Sequence, residues 1–104
     1  MSASTSRSVR YVVFHKPGPR WQYGVDFREQ DGVGEQVQHY LKLHEHGKLE
    51  LGGPFLLPDV GGMMVATKDV AQEELEAFAA ADPAIQSGLL IYEIRPWLTA
   101  MEHK

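Results

Sequence analysis

The sequence predicts one α+β domain with the element order β-α-β-β-α-β and a single four-stranded antiparallel sheet. Four short segments are predicted as strands, and the first of them, 9–15, is rich in the β-branched and aromatic residues typical of strands. Two longer segments repeat apolar residues at helical spacing, and glycine or proline turn signals separate the segments. A chain of 104 residues has the length of one domain.

The four predicted strands are 9–15, 48–51, 62–67 and 89–95. Gly52, Gly53 and Pro54 are expected to end the second strand. Pro96 is expected to limit the fourth, because proline cannot donate a hydrogen bond to a neighbouring strand.

The first helix is predicted over 34–47, with Gly47 supplying the positive φ that commonly ends a helix. Its apolar stripe is expected to be Val33, Val37, Tyr40, Leu41 and His44. His44 is therefore expected in the core. The second helix is predicted to begin at a cap formed by Thr67 or Asp69 and to end near Ala81.

This order of elements corresponds to the ferredoxin-like fold, in which two helices cover one face of the sheet. Strands 9–15 and 89–95 carry apolar residues on both faces, whereas a sheet with one solvated face should alternate apolar and polar residues. Two sheets packed by their uncovered faces would form a dimeric α/β barrel. The alternative is an outer face that is merely more apolar than average.

Charge and composition exclude several classes of protein. The chain has 10 Lys+Arg against 14 Asp+Glu, a net charge of −4, and no cluster of basic residues that would bind nucleic acid. No apolar run approaches the ~20 residues that cross a bilayer. The absence of cysteine fits a reducing compartment, so a cytoplasmic protein is expected. We expect a disordered tail at 1–8, a domain at 9–98 and a C-terminal tail at 99–104.

The segment 16–33 is long for a connection, and loops of this length are usually functional or disordered. It carries Trp21, together with Arg20 and Arg28, whose guanidinium groups suit the capture of a carboxylate. The loop is interpreted either as a cover over a pocket for an anionic ligand or as a structural loop held by its own aromatic residues.

Asp82 is the most informative carboxylate in the sequence. It lies four residues after Phe78 on the inward side of the second helix, and Pro83 biases it away from helical geometry. A buried carboxylate must be paired or hydrogen-bonded, or its pKa rises. The structural alternative is that Asp82 caps the following turn, at residues 84–86.

Two of the five histidines are candidates for proton transfer. His39 lies beside the apolar stripe of the first helix, where a cleft could open. His15 ends the first strand, on the face assigned to the barrel. The spacing of His39, His44 and His46 does not bring a pair four residues apart, so no metal site is expected.

The motifs YVVFHKPGPRW, GKLELGGPF, GGMMV, AADPAIQSGLL and EIRPW follow one another from about Arg10 to Trp97. In this order they resemble the YciI-like (YCII-related domain) family. The resemblance implies a dimeric α/β barrel with a site built on a histidine and an aspartate. Its relatives by fold include muconolactone isomerase and chloromuconolactone dehalogenase.

Carried over residue by residue, the family's aspartate corresponds to Asp82, whereas its helix-one histidine corresponds to Gln36. Glutamine cannot shuttle a proton, although it can orient a ligand. His39, one turn further along, is the candidate to replace the histidine.

The sequence thus predicts a small dimeric enzyme, without cofactor, that moves a proton on a small organic acid or lactone, as an isomerase, lyase or dehalogenase does. Asp82 and His39 are the expected catalytic pair. The expected substrate-binding residues are Gln36, His15, Arg28, Arg20, Trp21, Gly53 and Pro54. The alternative is a non-catalytic dimer that binds a small metabolite or another protein.

Overall fold

A computed structural model describes residues 8–102 of the chain. The strands and helices, in chain order, are β1 (Ser8–Pro17), α1 (Val33–Glu45), β2 (Leu49–Pro54), β3 (Gly62–Ala66), α2 (Gln72–Ala80), α3 (Pro83–Ser87) and β4 (Leu90–Thr99). A single 3-10 turn, Phe27–Glu29, interrupts the long loop between β1 and α1.

The four strands form one antiparallel sheet in the order β2-β3-β1-β4. β1 is central: Val13 pairs with Met64 of β3 on one side and with Ile94 of β4 on the other. The ferredoxin-like α+β fold is therefore confirmed. The first and last strands of the chain lie side by side, so residues at the end of β1 lie close to residues from both halves of the chain.

The core lies between the sheet and the helices. Val13, Leu75 and Ala79 are at most 1% exposed, and Tyr40 and Leu43 of α1 pack into the same cluster. Full burial of a leucine-sized side chain stabilises the fold by roughly 1.5–3 kcal/mol. Since Val13 faces the helices and side chains alternate along a strand, His15 also faces the helices. The prediction that His15 lies on the sheet face assigned to the barrel is therefore wrong.

The face that α1 buries is rotated from the predicted one. Gln36, Tyr40 and Leu43 are buried, whereas Val37 and Leu41 are 48% and 40% exposed. The predicted apolar stripe is wrong in this respect, because one side of α1 faces an open cavity and not the sheet. The end of the helix is as expected, since Gly47 adopts φ +75° just beyond it.

His44 is exposed, and the prediction that it belongs to the core is wrong. It lies on the side of α1 that faces β2, and its Nδ1 is 3.1 Å from the carbonyl oxygen of Leu49. The imidazole can therefore bond to the backbone of β2 while the rest of its ring stays in contact with solvent.

The second predicted helix is two helices. α2 begins after Ala71, which forms no side-chain cap, so the predicted caps Thr67 and Asp69 are wrong. α3 follows directly, with Asp82 at its N-cap and Pro83 in its first turn. An aspartate cap followed by proline is a helix-start signal, and in this sequence it marks α3.

Pro96 does not end β4, which continues to Thr99. β4 is an edge strand, and a proline on an edge can point its missing N–H position away from the ladder. β2 likewise continues through Gly52 and Gly53 to Pro54. The sequence predicts shorter strands because it does not show that β2 and β4 lie at the edges of the sheet, where proline is tolerated.

The outer face of the sheet carries apolar and charged residues together. Trp97 and Ile91 are about half exposed, and Phe14 lies beneath the guanidinium group of Arg95. Lys16 and Arg95 also bind Glu93, at 3.0 and 2.8 Å. The expectation of an almost wholly apolar outer face is thus only partly met.

The predicted tails overlap the sheet at both ends. Of the tail expected at 1–8, only Ser8 is described, and it begins β1; Thr99, expected in the other tail, ends β4. Residues 1–7 and 103–104 lie outside the described part of the chain. None of the helices within residues 8–102 is long and apolar enough to cross a membrane.

Gly61 allows the loop between β2 and β3 to cross the end of β1. It adopts φ +89°, and a Cβ atom there would overlap the carbonyl oxygen of His15. Gly24 has a similar φ of +84° but has no atom within 4 Å of the corresponding Cβ position. We therefore expect Gly24→Ala to lower the free energy of unfolding by roughly 1–2 kcal/mol, from φ alone, and Gly61→Ala to lower it by about 3 kcal/mol or more. Urea unfolding of both variants measures the difference, and equal losses would contradict the close approach.

Candidate active site

The main cavity, of about 510 Å³, opens between α1, the helix-facing side of β2 and β3, and the loop that precedes α1. Its lining residues are His15, Trp21, Phe27, Val33, Gln36, Val37, Tyr40, Leu41, His44, Leu49, Leu51, Gly52, Gly53, Pro54, Gly61, Gly62, Met63, Met64 and Leu90. Gly52, Gly53 and Gly62 contribute backbone and no side chains to this part of the lining.

The lining is apolar apart from a few side chains. It includes no Lys, Arg, Asp or Glu among the described residues. Its polar groups are His15, Gln36 and Tyr40, which lie at the buried side, and His44, which is exposed. Such a cavity favours a compact, mainly apolar molecule that presents a polar group to the buried side.

His15 is 3% exposed at the end of β1, where its ring meets Tyr40 edge-to-face with the centroids 5.5 Å apart. Burial lowers the pKa of His15 from 6.5 to about 4, because the charged imidazolium loses its solvation. The imidazole is therefore uncharged at neutral pH and has a nitrogen lone pair that can accept a proton.

Asp82 is fully buried behind His15. Its Oδ1 accepts a hydrogen bond from the Ala84 amide at 2.8 Å, which is the cap at the start of α3. Its Oδ2 has no hydrogen-bond partner among the described residues and lies 3.6 Å from His15 Nε2. The structural role proposed for Asp82 is thus observed for one oxygen, while the other oxygen is available to the imidazole.

Burial also raises the pKa of Asp82, although the Ala84 amide, His39 and Gln36 oppose this effect. Desolvation therefore favours the uncharged form of both Asp82 and His15. If His15 takes up a proton, the resulting imidazolium gains a carboxylate neighbour in a medium of low dielectric constant. The pair can thus hold one proton between them.

Tyr40 was expected only as a core residue, yet its hydroxyl lies 3.5 Å from His15 Nε2. Burial and the nearby Asp82 charge raise the pKa of Tyr40, so the hydroxyl stays protonated and can donate a hydrogen bond. The helical spacing identified Tyr40 as inward-facing but could not show that it meets His15.

Gln36 is 7% exposed and lies beside Asp82, whose pKa it lowers, without completing a hydrogen bond to Oδ2. It also lines the cavity. The position that the family resemblance assigns to a histidine is thus next to the aspartate, and in this chain His15 approaches the same carboxylate from β1.

His39 is near Asp82 but does not line the main cavity. Its Nε2–H donates to the carbonyl oxygen of Phe78 at 2.7 Å, and its ring stacks on Phe78 with centroids 3.9 Å apart. The structure thus commits one nitrogen of His39 to α2, and its role in proton transfer stays a prediction.

Arg20 and Arg28 are exposed, and neither lines the main cavity. Arg28 binds Asp26 at 3.2 Å and lies over the ring of Phe27. Trp21, Gly53 and Pro54, in contrast, do line the cavity, and their role in binding a substrate stays a prediction. The arginines and the other predicted binding residues are therefore not brought together.

The loop before α1 is ordered by two residues that the sequence did not single out. The buried Gln30 side chain donates to the carbonyl oxygens of Gln22 and Val25, at 2.8 and 3.0 Å. Asp59, from the loop between β2 and β3, accepts a hydrogen bond from Trp21 Nε1–H at 2.8 Å. Neither contact has a local sequence signal, because each depends on how the loop folds back.

Within residues 8–102, no group of three or more His, Cys, Asp and Glu side chains is placed to hold a metal ion. The imidazoles of His39, His44 and His46 each approach a backbone carbonyl instead.

The chain belongs to the family described as the YCII-related domain, whose model matches residues 9–98. Among solved structures it is similar to the 5-chloro-2-hydroxyhydroquinone dehydrochlorinase from Burkholderia phenoliruptrix AC1100, in its complex with 2,5-dihydroxybenzoquinone. The TM-score is 0.59 at 19% identity, over 85% of this chain and 92% of that one. This likeness is one of fold. No curated protein matches the chain.

The lowered pKa of His15 makes the stability of the protein dependent on pH. Below pH 6.5 the unfolded chain binds a proton at His15, whereas the folded chain does not until about pH 4. The free energy of unfolding should therefore fall on acidification through this window, by roughly 3 kcal/mol in all. Asp82, whose pKa is raised, contributes with the opposite sign, and its contribution is lost as the pH rises through its folded pKa.

Unfolding by urea between pH 7 and pH 4.5 measures this effect. The difference in stability between the protein and His15→Gln should shrink steadily as the pH falls, because only the protein loses the contribution of His15. His46→Gln, which removes an exposed imidazole, is the matched control and should follow the unmodified protein. Parallel pH profiles for the protein and His15→Gln would contradict the uncharged, buried state of His15.

Proposed function

We propose that this protein is a small enzyme that moves a proton on a compact cyclic compound bound in the main cavity, in an isomerisation or an elimination. The observation that carries the proposal is the buried His15, which lines an apolar cavity and has the free oxygen of Asp82 3.6 Å behind it. The similarity in fold to a dehydrochlorinase supports elimination as one form of the reaction.

In this reaction His15 accepts a proton from a carbon atom of the bound compound. The C–H bond breaks, and its electron pair enters an enolate or another conjugated system. Asp82 Oδ2, which lies 3.6 Å from His15 Nε2, stabilises the imidazolium that results. The Tyr40 hydroxyl, 3.5 Å from the same nitrogen, is placed to donate to a developing oxyanion. Isomerisation returns the proton to a different carbon, whereas elimination expels the leaving group.

In this assignment His15 is the general base, and Asp82 keeps its predicted place as the carboxylate of the catalytic pair. Asp82 is fully buried and is absent from the cavity lining, so it acts on the substrate through the imidazole. His39 is the competing imidazole, since its charge also reaches Asp82.

The ligand is proposed to enter the cavity without a formal charge. The expected capture of a carboxylate by Arg20 or Arg28 lacks support in the geometry, because neither residue lines the cavity. A carboxylate buried without a cationic partner loses much of its solvation free energy. A lactone, an enone or a phenol loses far less and can still bond to His15, Gln36 or Tyr40.

The alternative is a non-catalytic protein that binds a small metabolite in the same cavity. Gln36 favours it, because a glutamine stands where the family resemblance expects the proton-carrying histidine. Proton exchange on a bound compound distinguishes the two functions, since a binding protein leaves carbon-bound hydrogens unchanged.

A homodimer in which two sheets pair by their outer faces is part of the proposal. The half-exposed Trp97 and Ile91 lie on that face beside Phe14 and Met63. Sedimentation equilibrium that yields a monomer at micromolar concentration would contradict the dimer. The cytoplasmic location, supported by the lack of cysteine, stays a prediction.

Proton transfer is tested by incubating the protein in D₂O with unsaturated γ-lactones and chlorinated hydroquinones. NMR then follows the exchange of carbon-bound hydrogen, and an electrode follows the release of chloride. We expect His15→Gln to lower the rate at least about 100-fold, because the general base is lost. Asp82→Asn should also lower it, whereas His46→Gln should leave it unchanged.

Full activity in His15→Gln would contradict the assignment of the base. A loss that follows His39→Gln instead would establish the pair Asp82 and His39. If no compound in the panel exchanges but several raise the melting temperature, the binding function takes precedence.

The charge of the ligand is tested with two compounds of similar size, 4-nitrophenol and 4-nitrobenzoate. At pH 6 the phenol is mostly uncharged, and we expect it to bind at least about tenfold more tightly, because the cavity has no cation to pair with a carboxylate. Calorimetric titration measures both affinities. Tighter binding of 4-nitrobenzoate, abolished by Arg20→Gln or Arg28→Gln, would instead support the anionic ligand predicted from the sequence.

A further inference from the structure

Trp21 forms part of the cavity wall although it belongs to a loop. It is 8% exposed and packs with Leu89 and Leu90 at the start of β4. The same residue lines the main cavity. The position of its indole ring therefore affects how much room a ligand has.

The polar edge of that indole is held by a residue from another loop. Trp21 Nε1–H donates to Asp59 Oδ1 at 2.8 Å, across 38 positions of sequence. The Asp59 carboxylate also accepts from the Gly24 amide, at 3.3 and 3.4 Å to its two oxygens. Asp59 thus joins two separate parts of the loop before α1 to the loop between β2 and β3.

Asp59 occupies an unusual backbone conformation. It is the one non-glycine residue with positive φ (61°) in the described part of the chain, a region in which aspartate and asparagine are tolerated better than most residues. Its loop is closed at the base by a hydrogen bond from the Phe55 amide to the Gly61 carbonyl, and Gly61 abuts the backbone of His15. The loop that carries Asp59 is therefore anchored at the His15 end of the cavity.

We propose that Asp59 is a positioning residue that sets the size of ligand the cavity accepts, by holding Trp21 in the wall. This inference rests on the proposed function only in taking the main cavity as the ligand site. It requires no turnover and no proton transfer. With the bond intact, the indole holds one wall of the cavity in place; without it, the indole shifts and the relative affinity for ligands of different size changes.

Three substitutions separate the hydrogen bond from the backbone conformation. Asp59→Gly keeps the positive φ but removes the carboxylate, and Asp59→Asn keeps both the φ and an acceptor oxygen. Trp21→Phe removes the indole N–H and keeps an aromatic ring. Trp97→Phe serves as the background for the fluorescence measurements, because it leaves Trp21 as the single tryptophan.

Without any ligand, Asp59→Gly should shift the emission of Trp21 to longer wavelength, whereas Asp59→Asn should leave the emission as it is with Asp59 in place. 4-Nitrophenol and 2-naphthol are titrated into each protein, and the ratio of the two affinities in the unmodified protein is the reference. Asp59→Gly should reduce the ratio of the two affinities about tenfold. If Asp59→Gly only destabilised the fold, it would lower the affinity for both compounds equally and leave their ratio unchanged.

In the Trp21→Phe background, measured by calorimetry, Asp59→Gly should have little further effect on the ratio, because the shared bond is already absent. Unchanged Trp21 emission in Asp59→Gly would overturn the proposal, and so would an unchanged affinity ratio. A tenfold effect that persists without the indole N–H would overturn it too. If neither compound binds the unmodified protein, the cavity is not the ligand site and the proposed function fails with it; lack of exchange in D₂O leaves the role of Asp59 intact.

Discussion

The capping bond between Asp82 and the Ala84 amide connects the fold to the site. A fully buried carboxylate is costly unless it is hydrogen-bonded, and the start of α3 supplies a backbone donor for one oxygen. The same bond caps the start of α3, and the second oxygen lies 3.6 Å from His15 Nε2. A structural cap and a chemical site therefore share one side chain, and the two interpretations of Asp82 are compatible.

His15 completes this arrangement because β1 lies in the middle of the sheet. β1 pairs with β3 on one side and with β4 on the other, so the end of β1 is surrounded by the turn at Gly61, by Tyr40 and by Asp82. The enclosure excludes water and lowers the pKa of the imidazole. The imidazole at the buried side of the cavity is therefore uncharged at neutral pH.

The cavity itself results from residues that lack side chains and from a helix face that the sheet does not cover. Gly52 and Gly62 line the cavity from β2 and β3, and Val37 and Leu41 line it from α1. The remaining wall comes from the loop of Trp21, braced by Gln30 and tied to Asp59. The sheet and helices thus hold His15, Tyr40 and Asp82, whereas loops form the remaining wall of the cavity, a common division in binding sites.

The sequence by itself determined the order of the elements, the ferredoxin-like class and the inward position of Asp82, because these depend on local periodicity and on turn residues. Only the tertiary structure decided which face of β1 carries His15, that α1 turns Val37 and Leu41 towards a cavity, and that Pro96 is tolerated within β4. Each of these depends on which surfaces meet across the sheet, and contacts between residues distant in sequence leave no periodic pattern along the chain. The pairing of Asp59 with Trp21, 38 positions apart, is the clearest case.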